Sequence, residues 1–117
     1  MLGTIFLVPV LGTSYRGLMQ VLSRKKLHEF WIIFPDAERP LSTWYKITSK
    51  AIWSKTNDVK DQFGTNVDFI GDNRAIFDIG GNKYRLVVRI VYAPFYRVMV
   101  KFVGTHEEYD NIDPETV

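Results

Sequence analysis

Residues 73–110 read NRAIFDIGGNKYRLVVRIVYAPFYRVMVKFVGTHEEYD. They divide into three strands joined by two tight turns, and with a period of two each strand collects its apolar residues on one side. The predicted strands are Arg74–Ile79, Tyr84–Tyr92 and Tyr96–Val103. In the last of them strict alternation places Phe102 on the apolar side and Val103 on the side of Lys101. The GGN turn at 80–82 suits a hairpin, because these residues tolerate positive φ. The segment therefore predicts an antiparallel sheet with one apolar face, which the rest of the chain has to cover.

The opposite face of these strands is predicted to be basic. Five cations share it with one carboxylate, Asp78; the cations are Arg74, Arg85, Arg89, Arg97 and Lys101. Strands lie about 4.8 Å apart, so these side chains are expected to converge. Like charges side by side are unfavourable unless an anion or a carboxylate neutralises them, and Asp78 can pair with one of them. Two interpretations stay open, a solvated face with scattered cations and a surface that binds phosphates.

The chain before this segment reads as helical. Leu27, Phe30, Trp31 and Phe34 form one apolar stripe at helical spacing, and Pro35 ends that helix. A second helix is predicted from about residue 40 to 53, and a third ends at residue 64. Residues 66–70 read as a strand, and residues 19–22 as either a short strand or a lead-in. The predicted fold class is α+β, with two to three N-terminal helices packed on an antiparallel β-sheet.

Composition excludes several kinds of site. The chain has 117 residues, the length of one domain, and no cysteine, so it has no disulfide, thiolate metal site or thiol nucleophile. Only His28 and His106 are present, without paired spacing, so neither a metal nor another cofactor is expected. Residues 19–106 carry 14 Lys and Arg against 8 Asp and Glu, whereas the last eleven residues carry five acids and no cation. Such a distribution suits a polyanion ligand, or simply a solvated acidic tail.

Residues 1–18 are apolar, with a single charge at Arg16. Their apolar run is too short to span a bilayer, which needs about 20 residues, and no Lys or Arg precedes it as in a secretory signal. We therefore expect residues 1–18 to be an extension outside the core and residues 19–117 to form the domain. The alternative is a peripheral membrane anchor.

His106 follows the last predicted strand beside the basic face. An imidazole there can transfer protons near neutral pH, and Tyr109, three residues on, can donate a hydrogen bond or stack on a base. The simpler interpretation of His106 is a polar residue on a surface loop.

Four stretches together resemble the HigB-type toxins of bacterial type II toxin–antitoxin systems, within the RelE-like superfamily. They are VLSRKKLHEFW, WYK at 44–46, GDNRAIFDIGGNKYRLVVRI and KFVGTHEEYD. The resemblance covers about residues 19–117, and its specific parts are GNKYRLVV and VGTHEEYD. It implies a small α+β ribonuclease that needs no metal and cleaves mRNA in the cytoplasm, generally on the translating ribosome. It also implies an antitoxin partner with a helix-turn-helix domain, through which alone the complex binds DNA, and no membrane association.

The resemblance also implies roles for individual residues. Arg85 of the YRLV motif is the expected phosphate or transition-state contact, with His106 as acid or base and Tyr109 as an orienting or stacking group. The expected RNA-binding residues are Arg74, Lys83, Arg89, Arg97 and Lys101. One departure concerns the strand before YRLV, where RelE has two lysines and this chain has Ile76 and Asp78. Arg74 and Lys83 are nearby replacements, and the general base is not assigned to one residue.

Overall fold

The computed structural model describes residues 18–117, and this part of the chain forms five strands and four α-helices. The strands are β1 (Gln20–Leu22), β2 (Val67–Ile70), β3 (Arg74–Ile79), β4 (Tyr84–Val91) and β5 (Arg97–Thr105). The helices are α1 (Lys25–Ile33), α2 (Glu38–Ser49), α3 (Thr56–Phe63) and α4 (His106–Tyr109). The predicted α+β class is confirmed. The predicted N-terminal extension, residues 1–18, lies outside the described residues apart from Leu18.

The sheet is mixed and has the strand order β1-β5-β4-β3-β2. Strands β2 to β5 form the predicted antiparallel meander. β1 pairs with β5 in parallel, so the prediction of a purely antiparallel sheet is wrong at this edge. A parallel pair needs a long connection, and the helices and the meander between β1 and β5 supply it. The sequence left residues 19–22 open because three strand residues are too few to show a period.

Helices α1, α2 and α3 cover the apolar face of the sheet. Their buried side chains and those of the sheet form a single core, which includes Leu27, Phe30, Leu41, Trp44, Val59, Phe77, Leu86, Val88, Ile90 and Val98. The short helix α4 was not predicted, and it follows the sheet, so the helices are not confined to the N-terminal part. No helix within residues 18–117 has both the length and the apolar character that crossing a bilayer requires.

Aromatic contacts in this core fix the strands that carry the functional side chains. The ring of Phe77 on β3 packs edge-to-face against Trp44 and Phe63, with centroids 5.5 and 4.8 Å apart. Tyr84 at the start of β4 packs against Phe30 at 5.3 Å. Each such pair contributes about 0.5–1.5 kcal/mol beyond the area that it buries. Because side chains alternate along a strand, the next residues of β3 and β4 point to the other side of the sheet.

A β-bulge lies in the middle of β5. Val100 lies opposite Val88 of β4. Phe102 lies opposite the neighbouring Val87, so Lys101 is an extra residue without a partner of its own in the ladder. A bulge of this kind shifts the alternation of side chains by one position.

The bulge exchanges the two faces in the second half of β5. Val103 lies opposite Leu86 and packs against the core, whereas Phe102 points away from it. The strict alternation read from the sequence put Phe102 with the apolar set and Val103 with the cations. That assignment is wrong, because a period of two holds only while no extra residue is inserted.

Candidate functional site

The sheet face turned away from helices α1 to α3, here called the outer face, mixes cations with acids and apolar residues. Its members are Asp68, Ile70, Arg74, Ile76, Asp78, Arg85, Val87, Arg89, Arg97, Met99, Phe102 and Gly104. Val87 is fully buried and Ile76 is 8% exposed, yet neither belongs to the core beneath the helices. The C-terminal segment, residues 106–117, supplies the cover.

Contacts at both ends of the C-terminal segment place it across the outer face. Near its start, the ring of Tyr109 lies 6.5 Å from the ring of Phe102. At its end, the Arg74 guanidinium donates hydrogen bonds of 3.0 and 2.8 Å to the main-chain oxygen atoms of Pro114 and Val117. The acidic terminus is therefore held against the sheet, although its five acidic side chains are exposed to solvent. The cations beneath it do not form the open basic face that the strand pattern suggested.

Arg74 and Arg89 lie opposite each other on β3 and β4 and share one carboxylate. Asp72, in the turn before β3, accepts from Nε of Arg74 at 3.4 Å and lies 3.3 Å from Nε of Arg89. Burial raises the pKa of Asp72, but Arg89 and Arg74 outweigh it and hold that pKa below the ordinary value. The Arg74 side chain is 7% exposed and that of Arg89 is 33% exposed. Of these two predicted RNA contacts, only Arg89 presents its side chain to solvent.

Arg85 is held at the other end of the outer face by three neighbouring residues. Its Nε lies 3.3 Å from Oδ1 of Asp78, the residue directly opposite in the ladder, which confirms the expected pairing of Asp78 with a cation. Its Nη2 donates to Oδ1 of Asn82 at 2.6 Å, and its Nη1 donates to the main-chain oxygens of Asn82 and Tyr84. A guanidinium has five N–H groups. Within residues 18–117 Arg85 donates three hydrogen bonds, from Nη1 and Nη2, and its Nε forms an ion pair with Asp78, so N–H groups remain for a ligand. The side chain is 12% exposed.

His106 begins α4 next to the turn between β3 and β4. Its backbone N–H donates to the main-chain oxygen of Lys83 at 3.2 Å. A capping box, in which Thr105 and Glu108 each accept a hydrogen bond from the other's N–H, fixes the direction of the helix. The imidazole is about half exposed, and its Nδ1 lies 3.5 Å from a carboxylate oxygen of Asp110. His106 therefore stands with its ring accessible beside the turn that supplies Asn82.

Tyr109 lies between the ring of Phe102 and the charged groups of the outer face. Burial raises the pKa of its hydroxyl, and the positive charge of Arg85 opposes that rise. The negative charge of Asp68 acts in the same direction as burial. The phenol is therefore protonated near neutral pH and acts as a hydrogen-bond donor. The structure brings Arg85, His106 and Tyr109 to the end of the sheet where β4 begins and β5 ends.

Lys83, predicted to bind RNA, is engaged in this structure by a carboxylate from the helical layer. Asp36, in the 3₁₀ turn between α1 and α2, accepts from both the Lys83 ammonium and the Tyr84 hydroxyl. The bond from Lys83, followed by that from Tyr84, lowers the pKa of Asp36. The bond to Asp36 raises the pKa of Lys83 in return. Lys83 thus ties the turn between β3 and β4 to the helices.

The remaining two predicted cations lie away from Arg85. Arg97 is exposed at the start of β5, opposite Val91, six residues from Arg85 along β4. At about 3.3 Å per residue, this spacing separates them by roughly 20 Å. Lys101 occupies the bulge and lines a shallow depression beside α1. The five cations therefore do not converge on one patch, because the turn carboxylate, the bulge and the strand length divide them.

Sequence reasoning missed three residues of the site. Asn82 was interpreted as turn chemistry only, although the same residue orients Arg85. Phe102 was assigned to the core, and only the bulge places it beside Tyr109. Asp36 meets Lys83 across 47 positions of sequence, and no local pattern carries such a contact.

A comparison with known families bears on the region that contains this site. A family model described as HigB_toxin, the RelE-like toxic component of a toxin–antitoxin system, matches residues 37–112. No curated protein sequence matches the chain. The family match spans about two thirds of the chain and includes Arg85, His106 and Tyr109. The resemblance seen in the sequence is confirmed, and it implies an antitoxin partner. The chain belongs to the HigB family of RelE-like toxins, the toxic components of toxin–antitoxin systems.

Proposed function

We propose that the chain is a metal-independent endoribonuclease that cleaves mRNA on the translating ribosome in the cytoplasm. Residues 19–117 form the toxin domain, and residues 1–18 are an extension outside it. A cognate antitoxin with a helix-turn-helix domain keeps the enzyme inactive, and the complex reaches DNA only through that antitoxin. The family match supports the toxin class, and the residues around Arg85 support the chemistry.

The proposed reaction is attack of a ribose 2′-OH on the adjacent phosphate. The phosphate gains negative charge in the transition state, and a fixed guanidinium stabilises that charge most where water is excluded. Arg85 suits this task, since its side chain is 12% exposed and three neighbouring residues hold its plane. His106 transfers a proton at the leaving oxygen, and Tyr109 stacks on a base or donates a hydrogen bond to the substrate. Arg89 and Arg97 contact neighbouring phosphates from the more exposed part of the outer face.

The observation that carries the proposal is the arrangement around Arg85. A guanidinium that keeps N–H groups for a ligand, an accessible imidazole and a phenol with a raised pKa meet at one end of the sheet. These groups supply charge stabilisation, proton transfer and substrate positioning without a metal.

The test is induction of the full chain in bacteria, followed by primer extension on a reporter mRNA with and without ribosomes. We expect growth arrest and defined cleavage stops with the native chain, and neither with the double variant Arg85→Ala, His106→Ala. The matched control is Lys50→Ala, Lys60→Ala, which removes one exposed cation just after α2 and one in α3 and should remain toxic. Thermal melting of each purified chain verifies folding. Undiminished toxicity in a folded Arg85, His106 double variant would remove the assigned site.

A second candidate function is a non-catalytic member that binds RNA or only its antitoxin. The enclosure of Arg85 favours it, because the protein itself already engages the guanidinium through three hydrogen bonds and the ion pair with Asp78. This candidate predicts a chain that binds mRNA or antitoxin in a pull-down but gives no growth arrest and no primer-extension stops.

A further inference from the structure

The carboxylate of Asp78 forms an ion pair with the guanidinium at the centre of the proposed site. It lies directly opposite Arg85 in the ladder between β3 and β4, with Oδ1 3.3 Å from Nε of Arg85. The Asp78 side chain is 27% exposed, so it is reachable from solvent as well as from Arg85. A carboxylate beside the group that would bind phosphate is unfavourable for binding an anion, since it repels the ligand and competes for the cation. Such a placement needs another reason.

We propose that Asp78 is the general base that removes the proton from the attacking 2′-OH, an inference that rests on the proposed endoribonuclease function. In the free protein the carboxylate is paired with Arg85. When the scissile phosphate binds, the guanidinium turns its N–H groups to the phosphate oxygens, and Asp78 loses its cationic partner. The carboxylate is then free to accept a proton beside the phosphate, next to the ribose that carries the nucleophile.

The other groups of the site fit the role of base less well. The Lys83 ammonium is bound by Asp36, which raises the pKa of Lys83 and keeps it protonated. The raised pKa of Tyr109 keeps the phenol protonated as well. Cleavage requires one group that accepts a proton and one that supplies a proton, so His106 in its protonated form is left for the leaving oxygen. Asp78 is the remaining proton acceptor in contact with Arg85.

The step balances without a further reactant. The 2′-OH proton passes to a carboxylate oxygen of Asp78, and the 2′ oxygen forms a bond to phosphorus. The bond between phosphorus and the 5′ oxygen breaks, and the 5′ oxygen takes a proton from the imidazolium of His106. The products are a 2′,3′-cyclic phosphate and a 5′-OH end, with Asp78 protonated and His106 neutral until solvent exchanges the proton between them.

The substitution Asp78→Asn distinguishes two roles for this residue, a general base and a residue that only positions Arg85. The amide oxygen can still accept from Nε of Arg85, so the fold and the guanidinium are retained while the proton acceptor and the competing charge are removed. Cleavage of a ribosome-bound mRNA is measured under single-turnover conditions. Binding is measured on the same mRNA with a 2′-O-methyl ribose at the cleaved position. We expect cleavage about 10²- to 10⁴-fold slower, in the range of general base catalysis, with binding equal to the native chain or tighter.

The matched control is Asp61→Asn, which neutralises an exposed acid of α3, outside the outer face, and should cleave at the native rate. A second arm uses Asp78→Ala, where added formate should restore part of the cleavage. Formate should restore nothing to Arg85→Ala. Slower cleavage together with weaker binding in Asp78→Asn, and no rescue by formate, would make Asp78 a positioning residue. Faster cleavage would make it a competitor of the phosphate. Both results overturn the proposal, and absence of cleavage by the native chain overturns the endoribonuclease function itself.

Discussion

Gly104 lies directly opposite Arg85 in the ladder between β4 and β5, and the space where its side chain would stand is occupied. A Cβ atom there would lie 2.5 Å from the ring of Phe102 and 3.0 Å from the carboxylate of Glu108. The missing side chain at position 104 therefore lets the Phe102 ring lie against the strand beside Arg85, where it meets Tyr109. A glycine in a strand often marks such a close approach.

Gly104→Ala is expected to displace the Phe102 ring and lower mRNA cleavage. Overpacking of this kind destabilises a protein by about 1–3 kcal/mol. We expect the loss of stability to lie at the lower end of that range, because the outer edge of the Phe102 ring can move. Urea unfolding measures the stability, and primer extension measures the activity. The matched control is Gly71→Ala, since the nearest atom to a Cβ at position 71 lies 3.8 Å away. Equal stability and activity for the two variants would contradict the steric role of Gly104.

Arg74→Ala is expected to release the C-terminal segment from the outer face. The substitution removes two charge-assisted hydrogen bonds to Pro114 and Val117, each with a net contribution of about 1.5–3 kcal/mol. We expect the free energy of unfolding to fall by about 2–4 kcal/mol, less than the sum because the freed segment regains hydration. Hydrogen exchange should show faster exchange in residues 110–117. Arg97→Ala, at an exposed position, is the control and should change stability by less than about 0.5 kcal/mol.

Asp36→Asn is expected to change how stability depends on pH. The folded-state pKa of Asp36 lies below its ordinary value of 3.8, so the carboxylate stabilises the fold above that value. This stabilisation is lost as pH falls through the folded-state pKa. The folded-state pKa values of Lys83 and Tyr84 lie above their ordinary values of 10.5 and 10.0. The stabilisation that these two protonated groups contribute is therefore fully present below the ordinary values, and it is lost as pH rises through the folded-state pKa values.

Melting temperatures of the native chain and Asp36→Asn, taken from pH 2 to pH 11, check this prediction. The difference between them should be largest from about pH 5 to pH 9 and should shrink at both ends. Asp61→Asn, which removes an exposed carboxylate from α3, is the control. A difference that stays constant across the whole range would show that Asp36 acts through packing and not through its charge.

Tyr109→Phe and Tyr109→Ala separate the two roles proposed for this side chain. The Phe variant keeps the ring and its contact with Phe102, so RNA binding should be retained. Its cleavage rate should fall, because the hydroxyl that donates a hydrogen bond to the substrate is missing. The Ala variant loses the ring, and stacking of a base on an aromatic ring contributes about 1–3 kcal/mol, so binding should weaken by about 5- to 150-fold. Fluorescence anisotropy with a labelled RNA measures binding. Native binding by the Ala variant would exclude stacking.

The main features of the fold could be predicted because they depend on local patterns. The meander β2 to β5 follows from alternation and from the hairpin turn, and the apolar stripe of α1 follows from helical spacing. The pairing of Asp78 with Arg85 was also predictable, since residues on the same face of adjacent strands are neighbours. β1 was not resolved, because its partner β5 lies more than 70 positions away and its three residues carry no period.

The candidate site was predicted only in part, for the same reason. Arg85, His106 and Tyr109 lie within 25 positions of one another, and the antiparallel turn brings their strands together. The cations that the pattern grouped with Arg85 were divided by contacts from distant parts of the chain. Arg74 binds the C-terminal segment and Lys83 binds Asp36. Lys101 occupies a bulge that no residue in the sequence predicts.

The sequence by itself determined an α+β chain whose sheet has an apolar face and a charged face, together with the motifs that indicate the family. Only the tertiary structure decided what covers the charged face and which of its groups are accessible. Alternation of side chains is a property of a single strand, so it can be read along the chain. Pairing of a cation with a carboxylate or a main-chain oxygen can depend on where distant segments return. For this sheet the return is made by the C-terminal segment and by the turn that carries Asp36.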